Sequence, residues 1–122
     1  MTTKEIAEKL VSYCREGKYQ ACYQELYSPS CVSIEPIGSI MERAEGMEQI
    51  AEKGKLWNSM VEEFHGGTVG DPIFGGDHFC CNMSMDITYK EGGRTQSDQL
   101  CMYTIEDGKI VREQFFYPSP NQ

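Results

Sequence analysis

Phe79-Cys80-Cys81-Asn82-Met83-Ser84-Met85-Asp86-Ile87-Thr88-Tyr89 decides how the chain is read. Residues 79, 81, 83, 85, 87 and 89 are all apolar or aromatic. Between and beside them lie His78, Asn82, Ser84, Asp86 and Thr88. A period of two over this length is the signature of a β-strand with one face in a core and the other toward water. The run extends from Asp77 to Lys90 and ends at Glu91-Gly92-Gly93, a hairpin signal. Beyond it, Thr95 to Glu106 alternates in the same way. Asp107-Gly108 then predicts a type I′ turn, and Lys109 to Tyr117 forms a last strand. Upstream, Val61 to Val69 reads as a strand that turns at Gly70-Asp71-Pro72.

Ahead of these strands the apolar period is helical. Thr2-x-x-Glu5 is a capping box. Ile6, Leu10 and Tyr13 follow at helical spacing, predicting a helix over Thr3 to Glu16 that Gly17 ends. Tyr19, Cys22, Tyr23 and Leu26 predict a second helix, Lys18 to Tyr27, stopped by Ser28-Pro29. Cys31 to Glu35 is a short strand, and Ser39 to Glu45 reads as loop. Gly46 to Met60 is a third helix with Met47, Ile50, Ala51, Gly54 and Trp57 on one side. Helices first and a mainly antiparallel sheet after them give an α+β fold. If that sheet is strongly curved, as a cone-like half barrel, the helices cannot fill its concavity and a pocket remains. With 122 residues the chain is expected to form a single domain over residues 1 to 122.

The net charge of −8 and scattered basic residues argue against nucleic-acid binding. No apolar run approaches the roughly 20 residues that span a bilayer. Met1 to Leu10 lacks the basic start and apolar block of a secretory signal, so the expected location is the cytoplasm. Cys14, Cys22, Cys31, Cys80, Cys81 and Cys101 form no Cys-x-x-Cys motif, and they are expected to be reduced thiols acting as small hydrophobes. Two histidines and dispersed carboxylates do not compose a metal-ligand set, and no phosphate-loop pattern occurs. Neither metal nor cofactor is expected.

The order helix, helix, strand, helix, long strands resembles the nuclear transport factor 2-like superfamily, which includes the SnoaL-like polyketide cyclases and ketosteroid isomerases. Two stretches carry the resemblance. One runs from Leu26-Tyr27 through Ser33-Ile34-Glu35-Pro36-Ile37-Gly38 to Glu45-Gly46-Met47-Glu48-Gln49-Ile50. The other is Tyr103-Thr104-Ile105-Glu106-Asp107-Gly108-Lys109-Ile110-Val111, followed by Phe115-Phe116-Tyr117. In the isomerases an acid directly before the proline of the first strand shuttles a proton, and Glu35 stands there. Near the places of their oxyanion-binding Tyr and late acid, this chain carries Leu10, with Tyr13 one turn away, and Cys101. The resemblance also implies that Gln99, rather than Asp98, turns inward.

These readings nominate Glu35 as the principal acid or base. A partly desolvated carboxylate at a strand end holds its proton more tightly, which suits proton transfer near neutral pH. Glu113, sharing a face with Val111, Phe115 and Tyr117, is the second acid. His65 is a candidate relay. Tyr13, Trp57, Phe64, Met83, Gln99, Cys101, Tyr103, Phe115 and Tyr117 are the expected pocket lining. Three functions stay open: cofactor-free isomerisation, cyclisation or dehydration of a small apolar carbonyl compound; ligand binding without turnover; and an interaction domain that forms a homodimer. The outer sheet face, with Leu100, Met102, Ile110 and Phe116, is the expected dimer surface.

Overall fold

The computed structural model describes residues 1–118. Its elements are α1 (Thr3–Arg15), α2 (Tyr19–Leu26), β1 (Tyr27–Ile34), β2 (Arg43–Glu45), α3 (Gly46–Met60), β3 (Val61–Val69), β4 (Ile73–Gly75), β5 (His78–Tyr89), β6 (Gly93–Glu106) and β7 (Lys109–Phe116). The strands form a curved, open sheet in the order β2-β1-β7-β6-β5-β3, with β4 beside β5. Every pairing is antiparallel except β1 with β7. Three helices with a curved, mainly antiparallel sheet make this the expected α+β fold.

Local chemistry explains the elements. At the start of α1 the Thr2 hydroxyl accepts from the Glu5 backbone while a Glu5 carboxylate oxygen accepts from the Thr2 backbone, both at 3.1 Å. A cap of this kind stabilises a helix by about 1 kcal/mol. Asp107 and Gly108 have φ of +50° and +73°, the left-handed pair that a tight I′ hairpin requires.

Three local readings need correction. The stretch from Ser39 to Glu45 contains β2, which pairs through Ala44 with Ser33. The short strand β4 was not anticipated. The first strand starts at Tyr27 and passes through Pro29, so α2 ends at Leu26. Between Tyr27 and Val32 the register with β7 shifts. That irregularity admits a proline, which cannot supply a ladder N–H.

The core lies where α1 and α2 cover one half of the concave face. Ile6, Leu10, Leu26, Cys31, Phe79, Cys81, Cys101, Tyr103 and Ile110 are buried there. Cys81 faces Cys101 and Phe79 faces Tyr103 across the β5–β6 ladder. The rings of Phe79 and Tyr103 stack at 4.8 Å. All six cysteines are free.

Along the same inward face, beyond this core, the side chains become partly exposed: Met83, Met85, Ser97 and Gln99 are half-buried. The helices therefore stop short of one end of the concavity. Ile110 was expected on the outer face. It is instead fully buried, because a bulge at Val111 shifts the alternation of β7 by one residue.

Candidate functional site

The open end of the concave face brings together side chains from β1, α3 and β7. On β1, Cys31, Ser33 and then Glu35 turn inward, while Val32 and Ile34 take the outer face. Alternation alone fixes this once Cys31 sits in the core. On α3 the inward positions are Ile50, Lys53, Trp57 and Met60, spaced three and four apart. On β7, Glu113 and Phe115 point inward opposite Tyr103 and Cys101.

These residues form a connected polar chain. The Tyr27 hydroxyl donates to Glu113 Oε1. The Ser33 hydroxyl donates to Glu113 Oε2 at 2.7 Å. Ser33 Oγ in turn accepts from the Lys53 ammonium. Lys53 Nζ lies 3.8 Å from Glu35 Oε1 and 5.2 Å from the centre of the Phe115 ring. Glu113 is only 3% exposed, and the two hydroxyls supply the donors that a buried carboxylate needs.

Glu35 is placed differently. Its Oε2 is buried and has no hydrogen-bond partner. Burial pushes its pKa up from 4.5 to about 7; Lys53 pulls it down, Glu113 adds to the rise, and Tyr117 lowers it slightly. The Tyr117 hydroxyl also reaches Ser39 Oγ at 3.3 Å. A carboxyl that titrates near neutrality with one unspent oxygen can either take or give a proton at physiological pH.

Eight of the ten remaining nominated residues divide into three groups. Trp57, Met83, Gln99, Phe115 and Tyr117 are half-buried along the open end. Phe64 pairs with Ile87 and so faces the concave side, but on β3 it is 51% exposed. Cys101 and Tyr103 lie in the sealed core beneath α1 and α2, at 0% and 2% exposure, and do not line the open end.

Two further residues point elsewhere. The Tyr13 hydroxyl is engaged by Glu25 Oε2 at 2.5 Å, between α1 and α2. His65 lies on the outer face of the sheet, where its ring bonds Thr88 Oγ1 at 2.7 Å and meets Glu63 at 3.2 Å. Phe64 faces inward, so its neighbour His65 faces outward by alternation, beside Glu63, and it cannot relay protons to Glu35.

Three site residues escaped the sequence reading: Tyr27, Ser33 and Lys53. Ser33 was legible as the residue two before Glu35. Lys53 was legible as the position between Ile50 and Trp57 on α3, where a cation on an apolar face is the signal. Tyr27 was hidden by its assignment to a helix end.

Two hollows of about 460 and 380 Å³ lie elsewhere. The first is at Met1, Asp77 and Gly108, and the second at Arg15, Asp71 and Pro72. Neither touches Glu35. Among the described residues, no group of three or more His, Cys, Asp or Glu side chains is disposed to hold a metal ion.

An open, curved α+β sheet with a polar chain at its uncovered end defines a class of cone-shaped folds. Comparison with known proteins narrows the class. Residues 1–117 match the model of the SnoaL-like domain, and the chain belongs to that family. A proposed SnoaL-like polyketide cyclase (carbohydrate phosphatase) from Mesorhizobium loti is 30% identical, with a TM-score of 0.90 over 96% of this chain and 100% of that one.

Two more distant structures share the fold. A nuclear transport factor 2-like protein from Burkholderia thailandensis is 14% identical, with a TM-score of 0.83 over 97% of this chain and 92% of its own. A hypothetical protein from Catenulispora acidiphila with a ketosteroid isomerase-like fold, in complex with trimethylamine, is 20% identical, with a TM-score of 0.72 over 98% and 88%. No curated protein matches the chain. No helix among the described residues is long and apolar enough to cross a membrane.

Proposed function

We propose that this SnoaL-like protein performs cofactor-free acid–base chemistry on a small apolar carbonyl compound, with Glu35 carrying the proton. One observation supports the reading above the others: the buried, unpartnered Oε2 of a carboxyl raised to about 7, set beside Lys53. Glu35 abstracts a proton α to the carbonyl and returns it at another position, the step common to isomerisation, cyclisation and dehydration. Half-buried Met83, Phe115 and Trp57 supply the apolar surface for the substrate. The polyketide-cyclase description of the Mesorhizobium loti relative favours substrates with enolisable carbonyls.

The experiment is hydrogen–deuterium exchange at the methyl group of 2-acetylnaphthalene in deuterated buffer, followed by NMR. The wild type is expected to accelerate exchange, and Glu35→Gln to lower that rate about 100-fold while keeping the fold. Equal rates for both proteins refute the assignment of Glu35.

A second reading concerns assembly. Leu100, Met102 and Phe116 are 37–42% exposed on the outer face, and Leu100 faces Phe116 across the β6–β7 ladder. We infer that a second copy covers this patch. The dimer face and the catalytic end lie on opposite sides of the sheet, so the two readings are compatible. The six free thiols favour a reducing compartment such as the cytoplasm.

A further inference from the structure

Eleven residues of the chain are Lys or Arg, and ten of them are exposed. Lys53 is the exception, with a side chain only 14% exposed. A long, flexible lysine side chain on a helix reaches solvent easily, and desolvating an ammonium is costly. Its inward placement therefore calls for compensation, and what the protein provides is incomplete. Of three ammonium donors, one goes to Ser33. The 3.8 Å to Glu35 exceeds hydrogen-bond distance, and the Phe115 ring satisfies charge rather than a specific donor. Beside these unspent N–H groups stands the unspent Oε2 of Glu35.

A donor cation and an unpartnered carboxyl oxygen side by side match one kind of ligand: an apolar molecule bearing an acidic oxygen, with a proton shared between it and Glu35. We infer that the open end of the sheet binds small apolar anions, carboxylates or enolates, through Lys53, and that binding is coupled to protonation of Glu35. The inference rests on the reading of this end as a ligand site and extends it by naming the ligand's charge.

The charges in the site require the coupling. The groups facing Glu35 are Lys53 from α3, Glu113 from β7 and Tyr117 just after β7, with Tyr27 and Ser33 of β1 behind Glu113. Glu35 already has Lys53 as its cation and Glu113 as a negative neighbour. An incoming anion takes Lys53 for itself and adds a second negative neighbour to Glu35, favouring its neutral form. The protonated carboxyl then donates to the ligand from the oxygen that has no partner now. In a reaction, a bound enolate with neutral Glu35 is the arrangement immediately after proton abstraction. The proton has moved from the α-carbon to Glu35, and the C–H electron pair has moved into the enolate. The same site therefore holds the intermediate it makes.

The test uses three probes that share one naphthalene ring system on the full chain: 2-naphthoate (a carboxylate), 2-naphthol (an aromatic enol) and neutral 2-acetylnaphthalene. Calorimetric titrations are run at pH 6 and 8.5 in buffers of different ionisation enthalpy. The naphthoate is expected to bind at least tenfold tighter than the ketone at pH 6. At pH 8.5 it is expected to take up close to one proton, and its Kd to rise about tenfold per pH unit above the Glu35 midpoint. The naphthol is expected to bind more tightly than the ketone, and binding no tighter than the ketone overturns the enolate part of the inference.

Lys53→Met is expected to bind naphthoate and ketone equally. Lys53→Gln, which keeps a polar partner for Ser33, serves if the first variant does not fold. Glu35→Gln is expected to keep the anion preference and lose the proton uptake. Equal binding of anion and ketone by the wild type, retained preference in both Lys53 variants, or no proton uptake at pH 8.5 overturns the inference. Borohydride trapping of 2-acetylnaphthalene on Lys53 also overturns it, since an imine uses the lysine as a nucleophile. Failure of all three probes to bind a folded wild type overturns the ligand-site reading itself.

Discussion

Replacing Glu35 by Gln tests the site through stability, without any ligand. The folded protein holds the Glu35 proton up to about 7, against an ordinary value of 4.5. Between those values the native state binds more protons than the unfolded chain, so this group's contribution falls as pH rises. Its stabilising effect is fully present below about 4.5 and lost once pH passes about 7. The interval corresponds to about 3 kcal/mol between the charged and neutral forms, as an order of magnitude. Gln is a neutral isostere of the protonated acid, so the variant does not incur the cost of ionisation. Urea denaturation at pH 5 and pH 8 reads the difference, because every other titrating group is common to both proteins. The variant is expected to exceed the wild type by under about 1 kcal/mol at pH 5 and by roughly 3 kcal/mol at pH 8. A variant equal to or weaker than the wild type at pH 8 refutes the reasoning, since it shows that the ionised carboxylate is well solvated or well paired.

Other outcomes follow from the same structure. Tyr27→Phe removes one of two donors to buried Glu113 and is expected to lower stability by about 1–3 kcal/mol, with a shifted urea midpoint as the readout and an unchanged midpoint as the refutation. All six thiols are expected to react with a thiol reagent after denaturation without reductant, and fewer than six indicates a bridge. Sedimentation at micromolar concentration is expected to show a homodimer that Leu100→Lys with Phe116→Lys converts to monomer; a monomeric wild type refutes the outer-face pairing.

The fold was legible because its determinants are periodic. Phe79 to Tyr89 alternates without interruption, and the Gly92-Gly93 and Asp107-Gly108 turns punctuate it, so β5, β6 and β7 could be read directly. The errors fall where the period breaks. One inserted residue at Val111 carried Ile110 from the expected outer face into the core, whereas His65 misses the site by plain alternation, since its neighbour Phe64 faces inward. A bulge has no strong sequence signature, so alternation counted across one inverts every later residue.

The site was half legible. Glu35 could be placed by its position before Pro36 and Glu113 by its strand. Lys53 had a signal, a cation on the apolar face of α3, that was passed over, whereas Tyr27 depends on where α2 gives way to β1, which the helical spacing conceals. Cys101, nominated near the isomerases' late acid, and Tyr103, nominated as an aromatic with a hydroxyl, do face inward, but inward splits into a covered half and an open half. Only the placement of α1 and α2 decides between them.

The central claim is that Glu35 carries a proton near neutral pH in a ligand site. A carbon-13 NMR titration of the glutamate side-chain carboxyls, with Glu35 identified by the signal missing from Glu35→Gln, tests it most directly. The Glu35 midpoint is expected near 7. A Glu35 midpoint near 4.5 contradicts it.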